Sequence, residues 1–140
     1  MSDLDTGKEM SAGFINVDLD VESKHPLDYF AVQMEMGSEV VVLYCGANGG
    51  RGYLARLECA DGGDTCEPDS IINRFCGFIE ELDERARAEW DAASMKSFDL
   101  GFEVVGGNRS YQCPVRADTM SRLVALGGAL AISIYHHGDG

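Results

Sequence analysis

Basic residues are scarce in this sequence: 11 Lys and Arg stand against 24 Asp and Glu, for a net charge of −13. A field of that sign repels phosphate backbones, which excludes direct nucleic-acid binding as the expected role. The surplus is local. Residues 1–95 hold 20 acids and 7 bases, whereas residues 96–140 hold 4 of each. Such a field speeds encounter with a basic partner and also serves plain solubility. Long apolar runs are missing too, none approaching the ~20 residues that span a bilayer. The opening segment MSDLDTGKEMSAG lacks the basic start and apolar stretch of a secretion signal. The expected location is therefore cytoplasmic, with no membrane partner. The five cysteines form no C-x-x-C pair, and no His lies at ligand spacing from them, so neither a zinc site nor any cofactor is expected. Folding the hairpin about Asn48–Gly50 sets Cys45 near Tyr53 and Cys59 near Glu39. Six residues of strand then separate the two thiols, roughly 20 Å and out of disulfide reach. Reduced, buried thiols are expected.

What is present is enough for a core. The 140 residues are 45% hydrophobic, and a globule of this length hides roughly 70% of its unfolded surface without metal or disulfide. Residues 1–12 read as a tail and 13–137 as a single domain. The longest helical pattern runs from Pro68 to Ala93, with Ile71, Ile72, Phe75, Ile79, Leu82, Ala86, Trp90 and Ala93 in one stripe. Asp83-Glu84 resembles a fresh N-cap inside it, so a break is predicted near Leu82–Asp83.

From Phe14 to Glu22 the chain alternates: Ile15, Val17, Leu19 and Val21 on one face, Asn16, Asp18, Asp20 and Glu22 on the other. Pro26 suits the first turn of a short helix with Leu27, Phe30, Ala31 and Met34 inward, ended by Gly37. Glu39–Cys45 and Ala129–His136 are apolar without alternation, the pattern of central strands covered on both faces. Tyr53–Ala60 and Phe98–Val105 alternate. After a Gly106-Gly107-Asn108 turn, a returning strand over Tyr111, Cys113 and Val115 is predicted at an edge because of Pro114. A last helix capped by Asp118 turns Met120, Leu123 and Val124 inward and stops at Gly127-Gly128.

The predicted fold is α+β: a two-layer sandwich with one mixed sheet of about six strands, in βαβ-βααβ-βαβ order, and helices on one face. The other face is left open. It carries Asp18, Asp20, Arg56, Glu58, Asp99, Glu103, Gln112 and Arg116, crossed by an apolar stripe with Tyr44 and Tyr135 on the two central strands. An apolar stripe with a polar rim is the anatomy of an interface.

Motifs that carry chemistry are thin. Gly46-Ala47-Asn48-Gly49-Gly50-Arg51-Gly52 follows a strand as a phosphate loop does, but a strand comes next and the Lys-Ser/Thr ending is absent, so it reads as a hairpin turn. Asp18 and Asp20 share a strand face with the spacing of two metal ligands, yet no third ligand is identifiable. His136 and His137 point to opposite faces of a terminal strand. No nucleophile motif is recognisable.

The closing segment from Asp118 to Tyr135, helix, Leu-Gly turn and apolar strand ending Ile-Tyr, resembles the end of a bacterial family of small domains of unknown function. FCGFIEELDERARAEWDAA and FDLGFE are compatible with the same family. The resemblance implies a small cytosolic binder of the immunity-protein kind and carries over no catalytic residue. The expected function is thus a non-enzymatic, immunity- or inhibitor-like domain. It would engage a protein partner, or a second copy as a homodimer, through the open sheet face with Tyr44, Tyr135, Asp18 and Asp20. The alternative is a ligand-binding domain or enzyme near the Gly46–Gly52 hairpin, using Arg51, Asp18 or Cys45.

Overall fold

The structure, a computed structural model, describes residues 12–60, 67–104 and 112–136. Within these residues five strands and four helices follow in the order β1 (Ala12–Ser23), α1 (Asp28–Glu35), β2 (Val40–Ala47), β3 (Tyr53–Cys59), α2 (Pro68–Glu80), α3 (Glu84–Ala92), β4 (Met95–Val104), α4 (Ala117–Ala125) and β5 (Ala129–His136). The strands form one mixed sheet in the order β2-β3-β1-β4-β5. All neighbours are antiparallel except β4 and β5, which the α4 crossover makes parallel. The fold is the predicted α+β sandwich, with five strands among the described residues where about six were predicted. Residues 112–116 carry no strand, consistent with Pro114 lacking the N–H a ladder needs; Tyr111 and the Gly106–Asn108 turn lie outside the described residues.

One core joins sheet and helices. Val17, Leu19 and Val21 of β1, Ala55 and Leu57 of β3, and Phe98 and Leu100 of β4 meet Phe30 and Met34 of α1, Ile71, Ile72, Phe75 and Ile79 of α2, and Trp90 of α3. The predicted break falls where the Asp83 carboxylate accepts from the Ala86 N–H at 2.9 Å and starts α3. Its other oxygen accepts from the Tyr29 hydroxyl at 2.6 Å, so the break also positions α1. Glu89 then caps α1 from α3, accepting from the Phe30 N–H at 2.8 Å. The outer helices are tied by Arg122, which grips both Glu80 oxygens, at 2.6 and 3.2 Å, and donates to Asn73 at 2.7 Å.

Three local expectations are corrected. The cap of α4 is not Asp118: helix α4 begins at Ala117 and its leading N–H, on Arg116, is taken by Asp69 of α2 at 2.8 Å. Val124 is 65% exposed, since α4 turns Leu123 and Leu126 inward. The hairpin register is shifted by two, pairing Tyr53 with Ala47 and Cys45 with Ala55, because the turn spans Asn48 to Gly52. Cys45, Cys76 and Cys113 are free thiols.

The largest correction concerns the two continuous apolar strands. They are not central: β2 and β5 are the two ends of the described sheet, and the alternating strands β1 and β4 lie inside it. Apolar residues on both faces of a strand mean only that neither face is built for water. On β2, Val41, Leu43 and Tyr44 are exposed; on β5, Leu130, Ile132, Ile134 and Tyr135 are.

Candidate functional site

The face of the sheet opposite the helices is built by the polar halves of the alternating strands. Because β1 pairs with β3 on one side and β4 on the other, its outward residues each acquire two cross-strand neighbours. Asp18 stands opposite both Glu58 and Asp99, and Asp20 opposite both Arg56 and Ser97. Side chains directly opposite in a ladder have Cβ atoms roughly 5 Å apart, so Asp18, Glu58 and Asp99 make a transverse row of three carboxylates.

Most of these groups find partners. Arg56 Nε donates to Asp20 at 2.9 Å, Asn16 Nδ2 donates to Glu58 at 2.9 Å, and the Ser133 hydroxyl donates to the Asp99 carboxylate, 2.8 and 2.9 Å from its two oxygens. Asp18 is the exception: its Oδ1 is buried and has no hydrogen-bond partner. Burial is the first cause pushing its carboxyl up to about 6, followed by Glu58 and Asp20, with Arg56 opposing and Asp99 adding. Partner-less carboxylate oxygen and like charges on either side act together here.

That shift is a stability statement. The folded chain holds a proton on Asp18 that the unfolded chain has already lost between the ordinary value of 3.8 and about 6. Stability therefore falls as pH rises across that window, and the full penalty is present above it. Two units correspond to about 3 kcal/mol, which partial exposure reduces to about 1–2 kcal/mol. Asp18→Asn is expected to raise the melting temperature by about 3–7 °C at pH 7.5, with the gain vanishing at pH 4. Calorimetry of both proteins across that range checks it, and a gain independent of pH would assign the effect to packing.

The predicted site residues are only partly gathered. Asp18 and Asp20 lie together at the centre of the face. Tyr44 and Tyr135 share that face but sit on opposite edge strands, four inter-strand steps or about 19 Å across the sheet, and they are also staggered along it, Tyr44 lying level with Asp20 of β1 and Tyr135 level with Gly13. The expected stripe is therefore two separate aromatic margins around an acidic middle. Tyr44 is 45% exposed and its hydroxyl donates to the Ala47 carbonyl at 2.6 Å, laying the ring along its own strand over Gly46. Tyr135 stands opposite Glu103, with its ring over Gly101. Arg51 is exposed at the β2–β3 turn, beyond Tyr53, itself five residues or about 17 Å along β3 from Glu58. Cys45 belongs to the helix-side packing of β2, where burial first and its contact to Asp28 second push the thiol up to about 11. The hairpin alternative's three residues thus occupy the turn, the open face and the covered face. His25 and His136 are exposed, and His137 lies outside the described residues.

The sequence reading put Asn16 on the wet face without a role and did not single out Ser133. Both matter only through register, and no local pattern marks them. Among the described residues no group of three or more His, Cys, Asp or Glu is placed to hold a metal ion, and no helix is long and apolar enough to cross a membrane. No family model, no curated protein and no solved structure matches the chain.

Proposed function

We propose that this is a non-enzymatic protein-binding domain, immunity- or inhibitor-like in kind, that takes a basic protein surface on the open face of its sheet. The observation that carries this reading is Asp18. A carboxylate with a buried, partner-less oxygen, flanked by Glu58 and Asp99, is costly in the free protein and is relieved when a cation approaches it. The net charge of −13 adds long-range steering toward such a partner. Tyr44 and Tyr135 supply the amphipathic margins that interfaces favour. The free thiols fit a reducing, cytoplasmic setting.

Affinity capture tests it. Wild-type bait is expected to retain a basic protein at low salt and release it as ionic strength rises. A bait carrying Asp20→Lys and Asp99→Lys is expected to lose that protein, while Glu81→Lys and Asp91→Lys on the helical side keep it. Equal retention by both variant baits would refute the assignment to this face.

A further inference from the structure

The two ends of the sheet are finished differently. An exposed strand edge is a template for pairing, and proteins that stay monomeric blunt it with bulges, charges or a covering element. The β2 edge is blunted. Its register breaks between Val42 and Tyr44, leaving Leu43 as an extra residue, and the Val42 N–H is taken by the Glu35 carboxylate at 3.3 Å. Among the described residues the β5 edge has neither device. Its register with β4 runs unbroken from Ala129 to His136, and no Asp, Glu, Lys or Arg occurs from Ala129 to Tyr135. Its helix side is apolar, with Leu130, Ile132 and Ile134 37%, 60% and 55% exposed, and on the other side Tyr135, next to Ser133, is 54% exposed. On the helix side they continue into an apolar groove lined also by Leu100, Phe102, Cys113 and Val115.

We propose that β5 pairs antiparallel with β5 of a second copy, giving a continuous sheet across a two-fold axis. Three observations select a second copy. Charge is the first: two molecules of net −13 repel over most of their surface, but residues 96–140, which contain β5, balance at four acids and four bases. Symmetry is the second. An axis perpendicular to the sheet keeps each face on its own side and requires residues of equal parity to stand opposite. Pairing centred on Ile132 meets that rule, sets Leu130 against Ile134 of the other copy on both sides of an Ile132 pair, and closes as an isologous dimer. Area is the third. An eight-residue edge about 26 Å long, with side chains reaching about 10 Å to each side, buries on the order of 500 Å² per copy, or about 1,000 Å² in all. That is the lower bound of a specific interface, so the dimer is expected in the micromolar range. It leaves Asp18, Asp20, Glu58 and Asp99 uncovered and shares only Tyr135 with the proposed partner face, so substitutions at Ile132 and Ile134, on the helix side, test it separately from that reading.

Sedimentation equilibrium from about 5 to 500 μM is the test. Wild type is expected to pass from monomer to dimer within that range. Ile132→Lys is expected to raise the dissociation constant at least tenfold, as is Ile134→Lys, and Leu43→Lys on the β2 edge is expected to change it less than twofold. Because Ile132 and Ile134 are more than half exposed, these variants fold, which near-ultraviolet dichroism of the single buried Trp90 verifies. Wild type that remains monomeric at 500 μM overturns the proposal. So does a dimer that survives both β5 substitutions, or one that Leu43→Lys dissociates.

Discussion

Replacing Trp90 by Ala is expected to remove about 5 kcal/mol of stability, enough to leave a chain of ordinary stability close to its unfolding midpoint at 25 °C. Trp90 is fully buried and packs against Phe30, with ring centroids 5.7 Å apart, and against Phe98 at 6.5 Å. It therefore joins α1 and α3 to the centre of the sheet. Truncation leaves a cavity the size of an indole, costing about 3–5 kcal/mol. It also strands the Leu126 carbonyl, which the indole N–H reaches at 2.9 Å. A buried acceptor left without a donor costs a further 1–3 kcal/mol, about the whole loss expected of Trp90→Phe. Urea unfolding followed by far-ultraviolet dichroism separates the two variants. Equal losses would mean that the hydrogen bond, not the packing, dominates.

Gly52→Ala is the second large effect, expected at about 3 kcal/mol, against about 1 kcal/mol for Gly49→Ala in the same turn. Both glycines have positive φ, +93° and +54°. Only Gly52 has a neighbour where a Cβ would go: the Ser23 carbonyl oxygen at 2.4 Å, with nothing within 4 Å of Gly49. The obstacle at Gly52 is backbone, so the end of β1 must move. The difference between the two variants measures this close approach, and similar losses would reduce it to turn strain alone. The glycine-rich stretch that invites a phosphate-loop reading is thereby used by the fold itself, to seat the β2–β3 hairpin against the end of β1.

The layered α+β plan was legible because local patterns carry it. Alternation from Phe14 to Glu22 marked a half-wet strand, and Asp83 marked the start of α3. Strand order was not legible. Val40–Ala47 and Ala129–His136 look the same whether both faces are buried in a sheet centre or left uncovered at an edge, since an apolar side chain records avoidance of water, not its absence. Alternation placed Asp18, Asp20, Glu58 and Asp99 on the open face, but not beside one another. Glu58 and Asp99 join them through pairing on both sides of β1, and the sequence does not reveal which strands flank it. The hairpin register slipped for a physical reason too: a turn closing at Gly52 rather than Gly50 moves the partners next to it by two, and the bulge at Leu43 brings the offset back to one where Cys59 meets Val40.

The outer helical surface is acidic as well, with Glu80, Glu81, Glu84 and Asp91, so charge alone does not distinguish the two sides of the protein. Titrating isotope-labelled protein with a lysine- and arginine-rich peptide, and mapping amide shifts residue by residue, does. The largest changes are expected at Asn16, Asp18, Asp20, Arg56, Glu58 and Asp99, weakening as salt is raised. Changes confined to α2 and α3, or spread evenly over both acidic surfaces, would contradict the claim that this protein binds through the open face of its sheet.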